Sequence, residues 1–224
     1  MSYYLVLGIT LLITLGSQGY INSCYKKTKK IESIKKMSGC EVAKKILKDN
    51  GLENVNVEEI KGTLTDHYDP KAKVVRLSSE IYSGTSLASI SVASHECGHA
   101  IQDKNGYLFL RIRRSLVPIV NIASYAGYIA IAGGAILGLL NLIWLGIIFE
   151  VVILSFQVIT LPVEFNASSR ALKQIKELKI VNDSEHKNCR KMLTAAALTY
   201  VAAAATALIE VMRLIIIYGN RDRD

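Results

Sequence analysis

Residues 115–163 read "SLVPIVNIASYAGYIAIAGGAILGLLNLIWLGIIFEVVILSFQVITLPV", and across those 49 residues Glu150 is the single charged side chain. Wound as an α-helix at about 1.5 Å per residue, the stretch would reach about 74 Å, against the roughly 30 Å of a bilayer's hydrocarbon core. A soluble core helix has no use for that length. The stretch therefore predicts a hairpin of two membrane-spanning helices, and the fold class follows from it: an α-helical membrane protein.

Outward from the hairpin, two further spans are expected. Residues 3–21, "YYLVLGITLLITLGSQGYI", are uncharged and about long enough to cross. The stretch lacks the basic start and small-residue cleavage site of a secretory signal, so it reads as an uncleaved anchor. Residues 192–218, "MLTAAALTYVAAAATALIEVMRLIIIY", make the last span, with alanines that let neighbouring helices approach. Glu210 and Arg213 lie three apart there and can pair on one face. The organisation expected is thus about four transmembrane helices: helix 1 at 3–21, helices 2 and 3 within 115–163, and helix 4 at 192–218. Soluble segments lie between them at 31–114 and 164–191.

The net charge of +8 fits the same scheme. Basic clusters follow the first span (Lys26, Lys27, Lys29, Lys30), precede the second (Arg111, Arg113, Arg114), follow the third (Arg170, Lys173, Lys176, Lys179) and precede the fourth (Lys187, Arg190, Lys191). Four spans put all of them on one side, which the positive-inside rule makes cytoplasmic. No aromatic-interleaved basic patch or reader motif points to nucleic acid, so the partner that the charge implies is the lipid bilayer. Cys24, Cys40, Cys97 and Cys189 show no paired spacing and read as reduced, structural thiols.

The segment 31–114 reads as a small α+β domain. "SGCEVAKKILKDNGL" is a helix that Ser38 caps and Gly51 stops, with Val42, Ile46 and Leu47 on one face. "VNVEEI" and "KGTLTDHY" alternate as strands do, "DPK" at 69–71 is turn chemistry, and "KVVRLSS" returns as a strand. "SGTSLASISVASHECGHAIQDKNG" then takes helical spacing, with Leu87, Ile90, Ala93 and Cys97 near one face and Gly106 as terminator. After the hairpin, "PVEFNASSRALKQIKELKI" is helical, with Leu172, Ile175 and Leu178 as its apolar edge.

Within the metal-type helix, His95 and His99 stand four apart and so point to one side, a turn apart. That spacing lets both imidazoles reach one cation, while Glu96, one residue along, can approach a bound water without taking a coordination place. Two histidines on zinc need a third protein ligand and leave a fourth position for water, whose pKa the metal lowers toward about 7. Glu96 can then take that water's proton and hand it to a leaving amine. The pattern also occurs as ordinary decoration of a solvated helix face. Small neighbours (Ala93, Ser94, Gly98, Ala100) favour close approach instead. The third ligand must lie on the same membrane side, and Glu164 is the best placed, because a two-span hairpin returns its second end beside its first. The other reading of Glu164 is an interfacial carboxylate capping a helix that restarts at Pro162.

"SHECGHAIQ", then a hydrophobic hairpin, then "LPVEFNASSRAL" resembles the YugP-like membrane neutral zinc metallopeptidases of bacteria. The upstream "LTDHYDPKAKVVRLSSEIY" is similar to theirs, so the likeness spans most of 63–172. More distantly the layout resembles membrane gluzincins such as the heat-shock protease HtpX and the CAAX-processing proteases, which carry H-E-x-x-H and then E-x-x-x-D. The resemblance implies a zincin-like domain, His95, His99 and Glu164 as ligands of one Zn2+ per chain, and Glu96 as base. It also implies the bacterial plasma membrane. Ser168 stands where the distant relatives have the aspartate that orients a zinc histidine, and can offer only a weaker hydrogen bond.

Other residues carry lesser expectations. "KVVRLS" offers an edge strand to which an extended peptide can add, or else an interior strand. His67, Tyr68 and Arg170 are candidates to steady an oxyanion, against plainer roles in a turn and at the membrane boundary. Glu150 is costly inside a span and is assigned no catalytic part. The leading function is a membrane-embedded zinc metalloendopeptidase acting on peptides or membrane proteins at the cytoplasmic face. A zinc-binding scaffold or regulatory protein without turnover is the alternative, and a transporter finds no pair of broken spans to support it.

Overall fold

A computed structural model describes residues 3–219. The elements run α1 (Tyr3–Lys29), α2 (Gly39–Asp49), β1 (Asn56–Ile60), β2 (His67–Asp69), β3 (Val74–Ser78), α3 (Ser79–Ser83), α4 (Leu87–Lys104), α5 (Leu108–Leu137), α6 (Leu140–Glu177) and α7 (Asp183–Gly219). The protein is mostly helical with one small sheet, and α1, α5, α6 and α7 are each long and apolar enough to cross a membrane. The chain divides into two compact units, one of residues up to 18, 111–162 and from 199 on, the other of residues 19–110 and 163–198.

The first unit holds the apolar stretches. Gly138, at φ +68°, makes the turn between α5 and α6, a conformation that glycine adopts without strain. Glycine also sets the helix spacing. A Cβ on Gly127 would lie 3.0 Å from Cβ of Phe149, and one on Gly134 would lie 2.9 Å from the Ile143 nitrogen. Backbone contact of this kind is how helices pack where lipid removes any hydrophobic drive between them. Ile143, Ile147 and Leu214 form a buried cluster with Trp144 and Tyr218 against it. The expected pairing is present: Arg213 Nε donates to Glu210 Oε2 at 2.9 Å.

The second unit is built on α2, α4 and the sheet. Ser38 caps α2 in a full capping box with Glu41, and Gly51 leaves it at φ +59°. Its apolar face (Val42, Ile46, Leu47) is buried with Leu77, Ile81, Leu87, Ile90 and Cys97 in one core, to which the late residues Ile175 and Ile180 also belong. Each fully buried Leu or Ile stabilises by about 1.5–3 kcal/mol. All four cysteines are buried and free.

The sheet order is β1-β3-β2, with β1 parallel and β2 antiparallel to β3. The strand "KVVRLS" is therefore interior, and the edge reading of it does not hold: both of its sides are already paired. The strand expected over residues 61–68 shrinks to β2. Gly62 at φ +116° and Leu64 at φ +58° turn the chain out of extended geometry. Asp66 then fastens the short strand by accepting from the Ser78 N–H at 2.7 Å. In the following turn the Asp69 carboxylate accepts from the Ala72 N–H, from Arg76 Nη1 and from the Lys71 N–H. These bonds hold its pKa down to about 2.

Helix α6 does not restart at Pro162. It runs unbroken through that residue to Glu177. The ring removes one backbone donor, that which the carbonyl of residue 158 would use. Long membrane helices tolerate such a loss when neighbouring groups take up the freed carbonyl. The run carrying Glu164 and Ser168 is thus the continuation of the apolar helix itself.

Candidate metal centre

Helix α4 carries the H-E-x-x-H run, with Ser86 capping it through the Ser89 N–H. His95 and His99 face the same way, their rings 4.8 Å apart and nearly perpendicular. Helix α6 brings Glu164 to them. His95 Nε2 lies 3.2 Å and His99 Nε2 3.7 Å from Glu164 Oε2. One donor atom from each of the three residues lies within 4.8 Å of the others. The late carboxylate and the early imidazoles thus meet. The glutamate side chain is 3% exposed, and those of His95 and His99 are 15% and 12% exposed.

Gly98 explains how the helices come so close. A Cβ there would lie 3.0 Å from the carbonyl carbon of Ala167 and 3.1 Å from its Cα, with the carbonyl oxygen closer still. Only a residue without a side chain lets α4 rest on the α6 backbone at this level. The turn between the two histidines therefore abuts the turn between Glu164 and Ser168.

The far nitrogens of both rings are also engaged. His95 Nδ1 is 3.2 Å from Ser168 Oγ, and His99 Nδ1 is 3.0 Å from Gln102 Oε1. The second contact fixes a tautomer. Gln102 Nε2 lies 2.8 Å from the Val163 carbonyl oxygen, which can only accept, so the amide nitrogen faces α6 and the amide oxygen faces His99. That oxygen can only accept in turn. His99 Nδ1 must carry a hydrogen, and in the neutral ring Nε2 presents its lone pair toward Glu164. Asn166 Oδ1 accepts from Gln102 Nε2 at 3.1 Å and from Arg170 Nε at 2.7 Å, completing the chain.

Burial works against charge on His99, but the hydrogen bond to Glu164 and the negative fields of Glu96 and Glu164 outweigh it, and its pKa is raised. The pocket attracts positive charge, and a proton is the smallest cation able to supply it. Two imidazole nitrogens and a carboxylate oxygen, each facing a common point with the second nitrogens tied back, are the donor set of a catalytic zinc site.

Glu96 is 8% exposed. Its Oε2 accepts the Tyr68 N–H of β2 at 3.1 Å, so the edge strand aims the carboxylate. The Tyr68 hydroxyl donates to Asp103 Oδ2 at 2.9 Å and His67 Nδ1 sits 2.8 Å from the Thr65 carbonyl oxygen, so both side chains have partners of their own. Two contributors escape a reading of the sequence: Gln102, whose only signal is its place three residues after His99, and the main-chain N–H of Tyr68, which has none.

The sequence of residues 3–219 matches a family model described as "Putative neutral zinc metallopeptidase". Among curated proteins the chain is similar to the "Putative membrane protease YugP" of Bacillus subtilis (strain 168), with 47% identity over 208 residues, covering 93% of this chain and 92% of that protein. No solved structure matches.

Proposed function

The chain belongs to the neutral zinc metallopeptidase family, and from that premise we propose that it is a membrane-embedded metalloendopeptidase working at the cytoplasmic face of a bacterial plasma membrane. Its soluble segments would form a zincin-like domain, and each chain would hold one Zn2+. The observation that carries this reading is the convergence of His95, His99 and Glu164 on one point.

His95 and His99 would bind the ion through Nε2 and Glu164 through a carboxylate oxygen. Ser168 and Gln102 hold the imidazoles from behind, so each ring keeps one orientation, and Gln102 also fixes the tautomer of His99. When bound, the zinc supplies a Lewis acid that polarises a peptide carbonyl and acidifies water. Glu96, aimed by the Tyr68 N–H, accepts the proton of the attacking water and returns it to the departing amine. Substrates would be peptides or membrane proteins that reach this level of the bilayer. The basic clusters that flank the spans support the cytoplasmic orientation.

The alternative, a zinc-holding scaffold, shares the ligands but needs no base. Glu96→Gln separates the two. In detergent or liposomes it is expected to keep the parent's zinc and to lose casein cleavage and self-cleavage. Undiminished cleavage by Glu96→Gln would rule out a peptidase mechanism in which Glu96 is the base.

A further inference from the structure

A groove of about 390 Å³ runs between residues 165–176 of α6 and residues 186–197 of α7. That volume lies within the ~300–1,000 Å³ of small-ligand sites. Its lining changes character along its length. Phe165 and Leu193 lie where the two helices leave and enter their apolar stretches, Lys173 and Lys176 lie about two to three turns beyond Phe165, and Arg190 lies about one turn before Leu193. All three cations are exposed. Among the described residues, the carboxylate paired with one of them is Glu177, 3.8 Å from Lys173 in a solvent-exposed i,i+4 pair, which leaves the cluster strongly positive.

We propose that this groove binds the headgroup of an anionic phospholipid, with Lys173, Lys176 and Arg190 on the phosphate and Phe165 and Leu193 beside the start of the acyl chains. Charge complementarity and the order of the lining select this occupant. An amphiphile rooted in the bilayer presents apolar carbon first and phosphate beyond it, the same sequence that the groove presents. Side chains on a helix lean toward its N-terminus, and the apolar stretch is the N-terminal part of α6, so Lys173 and Lys176 lean back toward that stretch. Basic clusters beside membrane helices attract anionic headgroups through the same field. Ser168 lines the groove and touches His95 Nδ1, so the lipid site shares a wall with the metal centre.

The inference depends on the membrane setting and not on peptidase chemistry, and its test needs no turnover. The delipidated full chain in neutral detergent is titrated with dioleoyl phosphatidylglycerol and, separately, with dioleoyl phosphatidylcholine, and bound lipid is read by native mass spectrometry. The parent is expected to take up one phosphatidylglycerol in preference to phosphatidylcholine. Three neutralisations, Lys173→Gln, Lys176→Gln and Arg190→Gln together, are expected to weaken that uptake by on the order of a hundredfold, about fivefold per charge. Exchanging both lysines for arginine should keep it, and Lys44→Gln with Lys48→Gln, elsewhere on the surface, should leave it unchanged. Equal uptake of both lipids, or full uptake by the triple variant, overturns the proposal. So does displacement of the lipid by millimolar inorganic phosphate or by a polyglutamate peptide, which would assign the groove to free phosphate or to acidic peptides.

Discussion

Gln102 Nε2 donates to the main-chain oxygen of Val163 at 2.8 Å, and through that contact the backbone of α6 dictates the tautomer of a histidine on α4. Gln102 is fully buried, so neither end of its amide has water as a substitute partner. The candidate metal site thus depends on a residue outside the H-E-x-x-H run.

Gln102→Met keeps the volume of that side chain but frees His99 Nδ1 and leaves the Val163 oxygen without this donor. Zinc affinity is expected to fall about 10–100-fold, the usual cost of losing a partner that orients a ligand. The fold should lose about 1–3 kcal/mol for the buried polar groups left unpaired. Competition against a chelator of known affinity measures the first and urea denaturation the second. An unchanged zinc affinity would show that His99 needs no such support.

Ser168 plays the matching part for His95, with a neutral hydroxyl where a charged acceptor would pull harder. Ser168→Ala should weaken zinc binding by about tenfold, at the low end of the same range. Ser168→Asp should bind zinc more tightly than the parent, because a hydrogen bond to an ionised acceptor is roughly twice as strong as a neutral one. If Asp and Ala weaken binding alike, the hydroxyl is packing and no orienting bond is involved.

Gly98→Ala sets two effects against each other. Alanine favours a helix over glycine by about 1 kcal/mol. The added Cβ, however, would run into the Ala167 carbonyl group on α6. Backbone cannot rotate aside, and such overpacking costs about 1–3 kcal/mol. The variant is expected to be less stable and to hold zinc less firmly, since Glu164 moves with α6. Thermal unfolding together with zinc content checks both, and a stabilised, zinc-replete Gly98→Ala would refute the close approach.

The spans and the H-E-x-x-H residues were legible because each rests on local pattern. An uncharged run of 49 residues, Glu150 apart, and a spacing of four need no tertiary information. Glu164 was reachable through topology, since α5 and α6 are consecutive limbs. The continuity of α6 across Pro162 was not, because local chemistry marks a proline as a break and only its surroundings decide otherwise. The parallel pairing of β1 with β3 joins strands separated by β2, which alternation within a strand does not encode. Gln102 stayed silent for a related reason: its partner is a backbone carbonyl 61 residues away, and backbone carries no sequence signature.

Acidity should act on the metal-free and zinc-loaded proteins in opposite senses. The pKa of His99 is raised in the folded chain. Its contribution to the stability of the metal-free protein is therefore fully present below the ordinary histidine value of about 6.5 and is lost as pH rises through the folded value. Zinc needs the neutral ring, so the zinc-loaded protein should gain stability from metal as pH rises through the same window. Melting temperatures with and without chelator between pH 5 and pH 8 read the crossing. Parallel profiles would contradict the assignment.

Zinc K-edge X-ray absorption on the purified full chain tests the central claim most directly, that two imidazoles of α4 and a carboxylate of α6 hold one ion. The parent is expected to show nitrogen and oxygen neighbours only, at about 2.0–2.2 Å, with imidazole scattering from two rings and no sulfur. In Glu164→Ala the ion should be lost or its shell altered while both rings remain. A sulfur neighbour at about 2.3 Å, which would implicate a cysteine, or a spectrum indifferent to Glu164→Ala would contradict the account.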